Sequence, residues 1–139
     1  MESRRSFIRK TAVAGSAVIV APTIIPARAF GANDRINAAV LGLNGRGQSH
    51  VKSLMVQDNV QVTHLCDPDM NILKERHKDF KKTYKQEVAL EQDLRRIMDN
   101  KDIDVVSIAS PNHWHALSVI WACQAGKDVY VEKPVSFTV

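Results

Sequence analysis

Short runs of small and β-branched apolar residues recur along this chain, and each is followed by a stretch with helical periodicity. "RINAAVLGL" reads as a buried strand over 36–41 and ends in glycine, after which Val51, Leu54 and Met55 recur at helical spacing. "VQVTHLCD" is a second strand, 60–66, closed by Asp67 and Pro68. A charged amphipathic helix follows over 69–82, with Ile72, Leu73, Arg76 and Phe80 on its inward side. A weaker strand is expected over 88–90, then a short helix capped by Asp93 and running to Met98. "IDVVSIAS" places a strand over 104–109. "PNHWHALSVIWACQAG" is a helix begun by Pro111 and Asn112, with Asn112 as N-cap, and stopped by Gly126; "DVYVE" is the last strand. Strands and helices alternating at this spacing imply βαβ units, hence an α/β fold with a doubly wound parallel sheet and helices on both faces. Ligands of such sheets bind at the carboxyl ends of the strands.

The chain has 139 residues, room for one domain, and a formal net charge of +4. That charge belongs to the N-terminal segment. Arg4, Arg5, Arg9, Lys10 and Arg28 stand there against Glu2 alone, and beyond residue 29 basic and acidic residues balance. No excess of positive charge is left for a phosphate backbone, which argues against nucleic-acid binding. The six basic residues between Lys74 and Lys85 are interleaved with acids and read as a solvated helix face. "SRRSFIRK" carries a twin arginine, an apolar stretch follows from Thr11 to Ile25, and "ARA" ends it at Ala29. Residues 1–29 therefore read as a twin-arginine export signal that engages the export machinery and delivers the chain to the periplasm or the exterior. The mature domain is expected over 30–139. Cys66 and Cys123 are both expected in the core, and no Cys/His cluster has metal-ligand spacing.

Every unusual cluster falls at a strand end. The glycine-rich turn Gly42-Leu43-Asn44-Gly45-Arg46-Gly47 lets backbone N–H groups approach a pyrophosphate at a helix N-terminus. Asn44 stands where the second glycine of G-x-G-x-x-G belongs; asparagine tolerates positive φ, and Gly45 beside it offers the close approach. Asp67 lies 20 residues beyond Gly47, where a carboxylate can accept hydrogen bonds from an adenosine ribose. Its other ordinary use is to cap the next helix. An acid there repels a 2′-phosphate, so NAD is the expected cofactor, with Arg46 keeping NADP as an alternative. His113 and His115 point to different sides of their helix and are poor metal partners.

The glycine turn, "CDPD", "ASPNHWHA" and "VYVEKP", in this order and spacing, resemble the nucleotide-binding half of the Gfo/Idh/MocA oxidoreductases, a family that includes glucose–fructose oxidoreductase and inositol 2-dehydrogenase. The resemblance implies a Rossmann-like domain in which Gly42, Asn44, Gly45, Arg46 and Gly47 bind the pyrophosphate and Asp67 the ribose. It implies that Ser110, Pro111, Asn112 and His115 lie along the cofactor toward the nicotinamide. Lys133 would reach the reacting carbon of a sugar or polyol, His115 would assist, Glu132 would orient or neutralise the lysine, and a cis bond to Pro134 would set the turn. A lysine ammonium there can stabilise charge developing on the substrate oxygen. The family continues with a further helix and strand, then a larger α/β substrate domain. The chain is therefore expected to be an incomplete Rossmann domain, inactive alone, with a sheet edge exposed; the complete protein could form a homo-oligomer. An NAD-dependent glycosidase of the same fold and a non-catalytic nucleotide-binding module are the alternatives.

Overall fold

The computed structural model of the chain describes residues 35–136, and the expected export signal lies outside the described residues. Five strands alternate with four α-helices. In chain order they are β1 (Ile36–Leu41), α1 (Gly47–Met55), β2 (Val60–Cys66), α2 (Met70–Tyr84), β3 (Ala89–Glu91), α3 (Leu94–Asp99), β4 (Val105–Ile108), α4 (His115–Gln124) and β5 (Asp128–Val131). The strands form one sheet in the order β3-β2-β1-β4-β5, and every pairing is parallel. The register between β1 and β2 shifts between Ala38 and Ala39, so Ala38 faces Val62 while Ala39 faces His64.

Alternation along β1 divides the core. Ala38 and Val40 point to one face, where Val62, Leu65, Leu73 and Phe80 pack beneath α1 and α2. Ala39 and Leu41 point to the other, with Cys66, Ile97, Val106, Ile108 and Ala122 beneath α3 and α4. A strand buried on both faces reads as an unbroken apolar run, which is why β1 and β4 stand out in the sequence. The chain runs outward from β1 to β2 and β3, then returns to β4 on the other side. That reversal opens a crevice between the carboxyl ends of β1 and β4.

Most expected elements are borne out within a residue or two, and the differences have local causes. Helix α2 starts at Met70 because the Asp69 carboxylate accepts from the Asn71 N–H at 2.8 Å, and it runs to Tyr84 because Lys85 takes up the left-handed conformation (φ 56°). Asp93 caps α3 in the same way, accepting from the Arg95 N–H at 3.0 Å. Strand β3 lies one residue later than expected. The expected role of Asn112 as a helix N-cap is not realised. Residues Asn112–Trp114 form a 3-10 turn after an extended Pro111, and neither that turn nor α4 has a side-chain cap. Cys123 is also corrected: it is exposed, because its neighbour Ala122 is the residue of α4 that faces the sheet. Five of the six basic residues from Lys74 to Lys85 are exposed; Arg76 is half-buried.

Two predictions follow from this packing. Lys127 is buried, and its ammonium donates to the carbonyls of Asn100 (2.5 Å) and Ile103 (2.9 Å), fixing the turn that feeds β4. Lys127→Met is expected to lower unfolding stability by about 1–3 kcal/mol, since one buried and one partly buried acceptor lose their donor; urea melts equal to the native chain's would remove the lysine from this role. Burial also pushes the Cys66 thiol up to about 12, whereas Cys123 is open to solvent. Labelling with Ellman's reagent at about pH 8 should show one fast thiol, lost in Cys123→Ser, because the thiolate is the nucleophile. Two fast thiols would contradict that assignment.

Candidate cofactor and catalytic site

A cleft of about 920 Å³ opens at the carboxyl edge of the sheet. It is walled by the turn after β1, the end of β2, the start of α3, the end of β4, and Trp114, Ser118 and Trp121 of the last helical segment. Of the residues expected in the site, Gly42, Asn44, Gly45, Arg46, Asp67, Ser110 and Pro111 line it. Gly47 is packed beneath the turn. Asn112, His115, Glu132 and Lys133 do not line the cleft.

The glycines divide the work of the turn. Gly42 has φ 83°, and a Cβ on it would lie 2.6 Å from the Ser110 nitrogen, so only glycine lets the end of β1 lie against the end of β4. A Cβ on Gly47 would stand 1.9 Å from the Gly42 carbonyl oxygen, so the start of α1 can approach the strand only there. A Cβ on Gly45 would meet nothing within 4 Å among the described residues, so the cleft floor is open there to a ligand. Asn44 is exposed and does not have a positive φ; the left-handed residue of the turn is Gly42.

Asp67 is buried beside this turn. One carboxylate oxygen accepts from the Leu43 N–H (2.8 Å), the other from the Asp69 N–H (3.0 Å). The aspartate thus braces the glycine turn from the neighbouring strand, while capping of α2 is left to Asp69. A carboxylate has about four acceptor positions, so each oxygen keeps one for a ribose hydroxyl. The brace was not legible in the sequence. Neither were the buried hydroxyls of Ser110 and Ser118, which have no hydrogen-bond partner although each residue lines the cleft. Unpaired buried hydroxyls at a cleft wall are groups that a bound polar ligand would satisfy. An open turn at a helix N-terminus, an acid at the next strand end and these hydroxyls together fit a dinucleotide.

Lys133 sits beyond β5, exposed, between two anchored neighbours. On one side, Glu132 Oε1 accepts from Arg46 Nε (2.7 Å) and meets His50 Nε2 (2.9 Å). On the other, the carbonyl of Pro134 lies 2.7 Å from His115 Nδ1, and the Lys133–Pro134 bond is cis, as the resemblance implies. His115 is fully buried, and its second nitrogen lies 2.7 Å from the Ser110 carbonyl. Both ring nitrogens are thus engaged by backbone, so this histidine links the end of β4 to the segment that carries Lys133. His50, which no sequence motif singled out, is buried on α1 and reaches Ser107 Oγ of β4 at 2.8 Å.

The Arg46 guanidinium first, and His50 second, hold the Glu132 carboxyl well below the usual carboxylate range, at about 2. A folded-state value below the unfolded one gives stability that is present above the unfolded pKa and lost as pH falls through the folded one. The melting difference between the native chain and Glu132→Gln should therefore be steady at about pH 6–7 and smaller at about pH 3. A difference that grows on acidification would rule the pair out as its source.

Comparison with known proteins agrees with this geometry. Residues 36–139 match the family model described as "Oxidoreductase family, NAD-binding Rossmann fold". A glycosyl hydrolase family 109 protein of Stenotrophomonas maltophilia is 31% identical over 94% of this chain and 30% of its own length. An alpha-N-acetylgalactosaminidase of Shewanella oneidensis is 31% identical over 75% of this chain and 24% of its own length. Among solved structures, myo-inositol 2-dehydrogenase from Lactobacillus plantarum superposes with a TM-score of 0.62 at 26% identity, over 75% of this chain and 30% of that one. The chain thus spans less than a third of the length of these relatives. With that family model matched over the whole of the described sheet, the chain belongs to the Gfo/Idh/MocA oxidoreductases, of which it is an NAD-binding Rossmann domain.

Proposed function

We propose that this chain is the nucleotide-binding part of an NAD-dependent oxidoreductase that acts on a sugar or polyol by hydride transfer. The observation that carries the reading is the open floor at Gly45, set between the braced carboxylate of Asp67 and the unpaired hydroxyls of Ser110 and Ser118. Backbone N–H groups of the turn from Gly42 to Gly47 hold the pyrophosphate, and the remaining lone pairs of Asp67 accept from the adenosine ribose. NAD, when bound, supplies the hydride acceptor. Ser110 and Pro111 lie along the cofactor, with Asn112 and His115 behind them. Lys133 hydrogen-bonds the reacting oxygen of the substrate and stabilises its developing charge. Glu132 offsets the charge of Arg46, and NADP is the less suited cofactor because Asp67 faces the ribose.

A second reading is favoured by the curated relatives, two of which carry glycosidase names at 31% identity. In an NAD-dependent glycosidase the same oxidation is transient, and elimination then cleaves the glycosidic bond. This chain spans less than a third of the length of these relatives, so turnover is assigned to the complete protein, which is free to associate as a homo-oligomer. Residues 1–29 direct export through the twin-arginine machinery to the periplasm or exterior.

The test is NAD titration followed by tryptophan fluorescence, since Trp114 and Trp121 wall the cleft. Saturable quenching is expected. Gly45→Val should melt like the native chain, because nothing lies within 4 Å of the added Cβ, yet bind NAD at least about tenfold more weakly. Unchanged affinity in that variant would take the pyrophosphate away from this turn. In the complete protein, net NADH formation with inositols and hexoses supports the oxidoreductase. Release of nitrophenol from a nitrophenyl N-acetylgalactosaminide without net NADH supports the glycosidase.

A further inference from the structure

We infer that His50 is a positioning residue that ties the Lys133 segment to the glycine turn. The inference rests on the reading of Lys133 given above. Arg46 and His50 are four residues apart at the start of α1 and so share one face of it. Both reach the same oxygen of Glu132, at 2.7 and 2.9 Å. The arginine side chain is 65% exposed, and an ion pair of that kind is too weak to order a carboxylate by itself. The histidine side chain is 5% exposed and is held from behind by Ser107, itself buried in the middle of β4. With the ring in its Nε2–H tautomer, Nε2 donates to Glu132 and Nδ1 accepts the Ser107 hydroxyl, and every polar atom of the ring is used. Tyr130 packs against the ring in a T-shaped arrangement at a centroid distance of 5.2 Å.

His50 therefore has a fixed orientation and, among the described residues, one charged partner. That partner is the residue before Lys133. The Glu132 N–H also donates to Ile108 (3.0 Å), so the backbone at this point is held by the sheet and the side chain by α1. Through Glu132 the segment is joined to Arg46, which lines the cofactor cleft. His115 fixes the same segment from the far side by way of the Pro134 carbonyl, and its own link to the glycine turn runs through main chain, at Ser110, which is packed against Gly42. The chain of contacts Ser107–His50–Glu132–Arg46 is thus a side-chain path by which a ligand on the turn is registered at Lys133.

The test reads Lys133 directly and needs no substrate. The full chain is reductively methylated with ¹³C-formaldehyde, the Lys133 resonance is assigned by its loss in Lys133→Arg, and NAD is added. In the native chain the resonance should shift as NAD saturates. His50→Ala should still bind NAD within about fivefold of native affinity, the ceiling for an exposed ion pair, while the Lys133 shift falls to less than about half. His50→Gln, whose amide nitrogen reaches the position of Nε2, should restore the shift; His50→Asn should not. If His50→Ala does not fold, Ser107→Ala carries the same expectation, because it removes the group that fixes the ring. A full Lys133 shift in the folded alanine variant, or a glutamine variant no better than alanine, overturns the role of His50 alone. A native chain that binds NAD and leaves Lys133 unmoved overturns the reading of Lys133 and this inference together.

Discussion

The rest of the site depends on a backbone contact that admits no side chain. The carbonyl of Gly42 lies where a Cβ of Gly47 would be, at 1.9 Å, and Gly42 itself is pressed against the main chain of Ala109 and Ser110. Strand β1, the start of α1 and the end of β4 therefore meet at one point with hydrogen atoms between them. This closeness aims the first turn of α1 at the crevice, and it brings Arg46 and His50 within reach of residues that follow β5. A methyl group at either glycine would separate the three elements and scatter those side chains.

Around that contact the polar groups are arranged in two braces. Asp67 supports the glycine turn from β2 through the Leu43 N–H, and Glu132 supports it from β5 through Arg46. The two differ in character. Asp67 is buried and bonded to main chain, so it belongs to the architecture of the cleft. Glu132 is partly exposed and takes its order from a buried histidine. An exposed ion pair is screened by solvent and contributes little, so Arg46 gains its fixed position from the histidine behind Glu132 and not from its own charge. The lysine that follows is held by neighbours on both sides while its own ammonium has no partner among the described residues, which suits the role proposed for it.

Local chemistry in the sequence anticipated β2 residue for residue, the Asp93 cap and the stop at Gly126, and the family resemblance implied the cis proline. It was less informative where the outcome turned on a neighbour in space. Cys123 lies in an apolar run, and the run alone does not say which residue of the helix faces the sheet. Asn112 has the chemistry of a cap, but the extended Pro111 before it leads into a 3-10 turn that uses no side-chain cap. His50 reads as an ordinary helical position. Its partners Ser107 and Glu132 lie 57 and 82 residues away, and no local pattern connects them.

The sequence by itself determined the parallel α/β order and the glycine turn after β1, because both rest on short-range rules of periodicity, capping and glycine conformation, while the role expected of Lys133 came from the family resemblance. Only the tertiary structure decided which of these residues touch. It turned Asp67 toward the glycine turn, enclosed His115 between two backbone carbonyls and joined His50 to Glu132. The reason is that a parallel sheet brings the carboxyl ends of strands far apart in the chain to a single edge, and contacts made there are set by register and packing rather than by the residues on either side.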